Sequence, residues 1–187
     1  MKTKRRQAIL ALPLSFFAVG ATDASDALVN IHVFVDHKSL SNSDWAPVDS
    51  QTGYGLDGDI APPSWPFSIV ETYISTKGRA PGATGRTTEL GVGVRKYINT
   101  SNPFRFYLDL GVLQFARGAI NFSGGGSLSS SSPGFGGRVG GRWIGGGAEY
   151  MLTHSVSVGF NARLSSTGGE IPSGGSHFGV SLGYHIK

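Results

Sequence analysis

The chain alternates apolar and polar residues with a period of two, and it does so in eight separate segments. The clearest is residues 177–187. Phe178, Val180, Leu182, Tyr184 and Ile186 share one parity; His177, Gly179, Ser181, Gly183, His185 and Lys187 share the other. Successive side chains of a strand point to opposite faces. One face of this segment is therefore apolar and aromatic, and the other carries glycine, hydroxyl and charge.

The same split recurs upstream. Residues 28–37 set Val29, Ile31, Val33 and Val35 against Asn30, His32, Phe34 and Asp36. Residues 52–60 set Tyr54, Leu56 and Ile60 against Asp57 and Asp59. Residues 67–76 alternate least well, with Val70, Thr72 and Ile74 opposite Glu71 and Tyr73. Residues 87–98 set Leu90, Val92 and Val94 against Glu89, Gly91, Gly93 and Arg95. Residues 104–120 set Phe104, Phe106, Leu108, Leu110 and Val112 against Arg105, Tyr107, Asp109 and Gly111, and the faces blur beyond Leu113, where a bulge is expected. Residues 138–152 set Ile144, Ala148, Tyr150 and Leu152 against Trp143, Gly145, Gly147 and Glu149. Residues 155–164 set Val156, Val158, Phe160, Ala162 and Leu164 against Ser157, Gly159, Asn161 and Arg163.

The connections alternate in length. Polar segments 39–51, 77–86, 121–134 and 165–175 read as long loops, the third rich in glycine and serine, whereas the remaining links are short. Aromatic residues collect at the short-turn ends: Trp65, Phe67, Tyr97, Phe104, Phe106, Tyr150 and Tyr184. Short turns on one side, long loops on the other and an aromatic girdle are the pattern of a membrane-spanning barrel. The predicted fold is all-β, an eight-stranded antiparallel up-and-down transmembrane β-barrel.

A soluble barrel would turn its apolar face inward. Here the apolar parity is nearly free of charge in mid-strand. The polar parity is rich in glycine, which suits a narrow interior better than a wet surface. Lipid is accordingly expected outside. This orientation sends Asp36, Asp57, Asp59, Glu71, Glu89, Asp109 and Glu149 into the lumen, with Arg95, Arg105, Arg163, His32, His177, His185 and Lys187 as their partners. Buried charges must be paired, and eight strands leave room for little more than side chains. A luminal network that plugs the barrel is therefore expected, ahead of an ion path.

Composition agrees with one exported domain. Lys2, Lys4, Arg5 and Arg6 precede an apolar stretch from Ala8 to Ala21. That is the form of a cleavable signal in residues 1–27, cut after Ala21 or as late as Ala27, leaving a barrel domain at 28–187. The stretch is too short for a membrane helix, and no later segment is long enough. The formal charge of +4 resides largely in the leader: without its four basic residues, 12 Lys and Arg face 12 Asp and Glu if the cut follows Ala21. Loss of Asp23 and Asp26 as well leaves a net +2. No basic patch for nucleic acid is left. With no cysteine, disulfides and thiolate chemistry are excluded.

Three segments carry a family resemblance: Phe106-Tyr107-Leu108-Asp109-Leu110-Gly111, Gly145-Gly146-Gly147-Ala148-Glu149-Tyr150-Met151-Leu152 and Gly179-Val180-Ser181-Leu182-Gly183-Tyr184. With them the chain resembles the small outer-membrane β-barrel proteins, built like the membrane domain of OmpA or like OmpX. The resemblance implies a monomer in a Gram-negative outer membrane. It implies contact with membrane lipid and lipopolysaccharide, passage through the barrel-assembly machinery, and a structural or surface-interaction role for the outer loops toward a surface ligand. Such barrels commonly close on an aromatic residue, where this sequence has Ile186 and Lys187.

A lipid A deacylase is the enzymatic alternative, since that family looks similar in barrel size. It carries His-x-Ser near its seventh strand, where this chain has Arg163-Leu164-Ser165. Ser165, Ser166, Glu170 and His177 could supply only a rearranged triad. A narrow porin-like channel is the transport alternative. No cofactor is expected, because Gly124-Gly125-Gly126 and Gly145-Gly146-Gly147 lack a phosphate loop's lysine and helix. No metal is expected either. His177 and His185 share a face but lie eight residues apart, about 26 Å along a strand.

Overall fold

The structure is a computed structural model and describes residues 28–101, 103–133, 140–169 and 171–186. The leader at residues 1–27, Glu170 and Lys187 lie outside the described residues. The described residues form nine strands: β1 Leu28–Leu40, β2 Ser50–Ala61, β3 Ser68–Ala80, β4 Ala83–Ser101, β5 Phe104–Phe122, β6 Ser127–Pro133, β7 Gly141–Met151, β8 Val156–Thr167 and β9 Gly175–Ile186. All pairings are antiparallel. Each strand other than β6 pairs with its neighbours in chain order, and β9 returns to β1, closing an eight-stranded barrel. Closure leaves no unpaired barrel edge, which an apolar medium would not tolerate.

The outer surface is apolar. Val35, Leu108, Leu110, Ile144, Phe160, Leu164, Phe178, Val180 and Leu182 are all exposed, Val180 at 67%. Charged groups are inside: Asp36, Asp59, Glu89, Arg95 and Glu149 are each 2% exposed or less. Such a surface is stable only against lipid. The girdle at the short-turn end is present as Trp65 edge-on to Phe67 and Phe104 edge-on to Tyr150, with ring centroids 5.3 and 5.1 Å apart. Tyr97 leaves it; its ring turns inward and its hydroxyl donates to Asp59 at 2.8 Å.

Two of the four loop expectations are corrected. Residues 77–86 are not a loop: β3 and β4 remain paired to Ala80 and Ala83 and turn on Pro81-Gly82 alone. Gly82 has φ +78°, which a side chain would disfavour. Residues 121–134 are largely strand, because the serine run 129–132 pairs with β5 as β6. Composition suggested flexibility, but an adjacent strand offers the backbone a ladder irrespective of side chain. Residues 39–51 fold back on the barrel mouth. A 3-10 turn Ser43–Trp45, capped by the Asn42 side chain, drives Trp45 against Leu40, Val48, Ala83 and Ile120. Its indole N–H donates to the Pro172 carbonyl at 2.9 Å.

β4 and β5 run 19 residues each, about twice the ~9–11 needed to cross a bilayer. Their upper halves, with β3 and β6, form a ribbon standing above the barrel. The expected bulge is Gln114. Leu113 pairs with Gly91 and Phe115 with Leu90, so Gln114 is the extra residue. It lies where β5 changes partner, from β7 at Leu113 to β6 at Phe115.

Candidate functional site

Among the described residues, titratable side chains converge in the polar lumen, and strand stagger sorts them into three levels. At mid-height Arg95 of β4 gathers three carboxylates. Its Nη2 donates to Asp57 Oδ2 and Asp109 Oδ2, both at 2.8 Å, and its Nη1 to Asp59 Oδ2 at 3.2 Å. The guanidinium stacks 4.2 Å over the Tyr107 ring. Arg163 of β8 lies beside this group. It donates to Thr72 Oγ1 at 2.8 Å, sits 3.8 Å from Asp57 and stacks 4.1 Å over Trp143. Trp143 fits because Gly93 and Gly111 face it; a Cβ on either would come within 2.8 Å of the indole. Only ≈ 10 Å³ of cavity is left among Phe34, Asp57, Tyr107 and Arg163, about one water.

Toward the ribbon end, Lys38 of β1 pairs with Glu89 and reaches Thr87, whose hydroxyl joins Thr76 and Gln51. Beside them His177 Nδ1 contacts Asp36 Oδ2 at 2.8 Å, and His177 Nε2 lies 3.2 Å from Ser165 Oγ. These are the distances of a nucleophile–base–acid relay. The acid is Asp36 from the first strand rather than Glu170. Ser166 faces outward and is exposed. Relay distances are not sufficient for acyl transfer, because the hydroxyl also donates to Glu89 Oε1 at 3.1 Å. One proton is thus contested by two acceptors, and a carboxylate stands where an oxyanion would need donors.

At the short-turn end His32 Nε2 lies 3.0 Å from Glu149 Oε1, and His185 Nε2 lies 3.9 Å from Glu149 Oε2. Arg105 Nη1 is 3.9 Å from Glu149 Oε2 and stacks over Tyr97 at 4.2 Å. Below this level a cavity of ≈ 500 Å³ opens between Trp65, Phe67, Tyr97, Arg105 and His185.

The structure therefore places Asp36, Asp57, Asp59, Glu89, Arg95, Arg105, Asp109, Glu149, Arg163 and His177 in the lumen. Glu71 is the exception and a correction. Val70, Thr72, Ile74 and Thr76 are buried, so β3 turns the opposite parity outward, and Glu71 lies on the lipid side between Gly58 and Val92. The reason is packing and polarity inside. Val70 completes a cluster with Leu113, Ala116 and Trp143, while Thr72 and Thr76 hydrogen-bond Arg163 and Gln51. Lys38 and Gln51 are luminal residues that the sequence reading omitted. Continuing the parity of His32, Phe34 and Asp36 by one step would have found Lys38.

No protein-family model matches the chain, and no curated protein is similar to it in sequence. Solved structures are similar in fold. Neisserial surface protein A superposes with a TM-score of 0.61 at 17% identity, over 85% of this chain and 96% of that one. Ail of Yersinia pestis gives 0.57 at 11%, over 86% and 99%. The N-terminal β-barrel domain of Pseudomonas aeruginosa OprF gives 0.51 at 16%, over 85% and 97%. The fold is that of the small outer-membrane β-barrels.

Proposed function

We propose that residues 1–27 export the chain and that residues 28–187 form a monomeric barrel in a Gram-negative outer membrane. Its short turns face the periplasm and its ribbon faces outward, where it serves as a non-catalytic surface protein that binds the phosphate groups of lipopolysaccharide. One observation carries the ligand: the outer face of the ribbon is basic and unpaired. Lys77 lies directly opposite Arg86, Arg79 is two residues further along β3, and Arg117 lies opposite Thr88 on the next strand. All four are exposed, and none forms an ion pair among the described residues. Like charges directly opposed on a sheet repel. A shared anion relieves that cost, and arginine pairs with phosphate in bidentate fashion. The cluster stands above the apolar band, at the height of lipid headgroups. Ail, which has this fold, has been solved with the heparin analogue sucrose octasulfate, an anion of comparable charge density.

The test is binding of purified lipopolysaccharide to the detergent-refolded barrel, wild type against Lys77→Gln/Arg86→Gln/Arg117→Gln. At about 1 kcal/mol per basic residue near an anionic surface, the triple variant is expected to bind about a hundredfold more weakly. Its heat-modifiable gel mobility should be unchanged. Equal affinity in the two proteins would overturn the reading. A hydrolytic role has one observation behind it, the Ser165–His177–Asp36 relay. Loss of an acyl chain from lipid A with wild-type protein, but not with Ser165→Ala, would establish it in place of the surface role.

A further inference from the structure

We infer that His32, Glu149 and His185 form a site for a divalent transition-metal ion, of the zinc class, at the short-turn end of the lumen. The three come from β1, β7 and β9, so the closed barrel alone brings them together. Each offers one ligand atom, these atoms lie within 4.8 Å of one another, and all three residues are buried.

The separations fit a metal better than they fit hydrogen bonds. Zn–N and Zn–O bonds of about 2.0–2.1 Å at tetrahedral angles put ligand atoms about 3.3 Å apart. The two contacts to Glu149, at 3.0 and 3.9 Å, bracket that value. His32 Nε2 is 3.0 Å from the carboxylate but is not aligned to donate to it. Both nitrogens of His32 and both oxygens of Glu149 are buried without a hydrogen-bond partner. Four unpartnered polar atoms in one buried cluster are costly, and an ion bound by His32 Nε2, a Glu149 oxygen and His185 would engage His32 Nε2 and the carboxylate, though not His32 Nδ1. Two imidazoles and one carboxylate are a donor set that zinc accepts, with a further position open.

Supporting contacts are built around the ligands. Asn30 donates from Nδ2 to Asp59 at 2.8 Å, which fixes its Oδ1 toward His185. His185 Nδ1 lies 2.6 Å from Asn30 Oδ1 and 3.3 Å from Arg105 Nη1. In the tautomer that donates from Nδ1 to Asn30, as a ligated imidazole does, Nε2 is the lone-pair donor; Arg105, which can only donate, opposes that tautomer while it stays in place. Nε2 now faces Ser157 Oγ at 2.8 Å, a contact the ion would displace. Gly183 makes the room for His32, since a Cβ there would lie 2.6 Å from the ring carbon Cδ2.

Charge and access agree. Six luminal carboxylates, Asp36, Asp57, Asp59, Glu89, Asp109 and Glu149, face four luminal cations, Lys38, Arg95, Arg105 and Arg163. The lumen is thus short of positive charge before any histidine is protonated. Arg105, 3.9 Å from Glu149 and partly exposed, lies between the cluster and the ≈ 500 Å³ cavity at the short-turn end. It is the competing cation, which must give up its contacts with Glu149 and His185 as an ion enters.

The experiment uses barrel without a histidine tag, refolded in detergent and titrated with Co²⁺ as a spectroscopic stand-in for Zn²⁺. One equivalent should bind with visible ligand-field bands and be displaced by Zn²⁺. His32→Gln and Glu149→Gln should each weaken binding at least tenfold, whereas His37→Gln and His154→Gln should not change it. Arg105→Gln keeps all three ligands and should tighten binding several-fold. The inference is overturned by wild-type protein that develops no Co²⁺ bands, or by an affinity indifferent to His32→Gln. Should His32→Gln not fold, an affinity indifferent to Arg105→Gln overturns it equally.

Discussion

Replacement of Arg95 by methionine tests whether the luminal network holds the barrel together. Methionine keeps most of the aliphatic stem and removes every donor. Asp57, Asp59 and Asp109 then lose contacts of 2.8, 3.2 and 2.8 Å. Among the described residues Arg163 is then the one cation near any of them, 3.8 Å from Asp57, while Asp59 keeps its bonds from Asn30 and Tyr97. Breaking a buried pair by removing one partner costs about 3–5 kcal/mol, because the other charge stays buried and uncompensated. Three carboxylates on one guanidinium put this case at the upper end. With a urea slope of about 1–3 kcal/mol/M, the unfolding midpoint should fall by about 2–4 M. The assay is reversible urea unfolding in detergent or lipid, followed by tryptophan fluorescence and by heat-modifiable mobility. A second variant separates charge from shape. Arg95→Met with Asp57→Asn and Asp109→Asn should regain more than half of the loss, since a neutral isosteric set can replace a buried ion pair. A single-variant loss below about 1 kcal/mol, well under the expected range for a broken buried pair, would refute the argument. A triple variant less stable than the single one would do the same.

Two further outcomes follow from the corrected geometry. Glu71→Leu should stabilise the barrel by about 1–2 kcal/mol in lipid, because a carboxylate on the lipid face is unfavourable by an amount that depends on depth; an equal or lower urea midpoint would show that Glu71 has a partner there. Deletion of Gln114 should leave a heat-modifiable barrel, because the inward set of β5 changes from odd positions (Tyr107, Asp109, Leu113) to even ones (Ala116, Gly118, Ile120) at the bulge, and removing one residue there leaves an unbroken alternation. Deletion of Leu108 should prevent folding, since the one-residue slip turns Asp109 toward lipid before the bulge at Gln114 can absorb it.

The barrel was legible because period-two alternation is a local property. Val180 and Gly179 reveal opposite faces without reference to any other strand. Which luminal charges meet is not local. Arg95 sits opposite Asp109 in the β4–β5 register, but its bonds to Asp57 and Asp59 reach β2, across β3. That contact depends on the stagger of three strands, which no single segment encodes. The histidine cluster was hidden for the same reason. Sequence spacing compared His177 with His185 on one strand, whereas the residues that converge are His32, Glu149 and His185 on three. Glu71 was misplaced because β3 carries polar groups on both faces, so its parity was settled by Trp143 and Arg163 on other strands. The ribbon was misread because serine and glycine composition reports conformational freedom, while pairing with β5 decides conformation.

The chain sorts its charge radially, and that division links the two sites. Acid is concentrated inside: six of the nine described carboxylates face the lumen, against four cations. Base is concentrated on the outer rim, where Lys77, Arg79, Arg86, Arg117 and Arg142 are exposed. The acids at that end, Asp44 and Asp49, belong to the β1–β2 connection and form no ion pair with any of these among the described residues. Overall neutrality therefore says nothing about either environment. The low-dielectric wall of the barrel screens neither side from its own excess. The rim presents an uncompensated positive field to lipid phosphates, and the lumen an uncompensated negative one to cations entering at the short-turn end. Neutralising rim arginines should leave metal affinity unaltered, and removing luminal ligands should leave lipopolysaccharide binding unaltered. The two surfaces share a wall but no charged side chain.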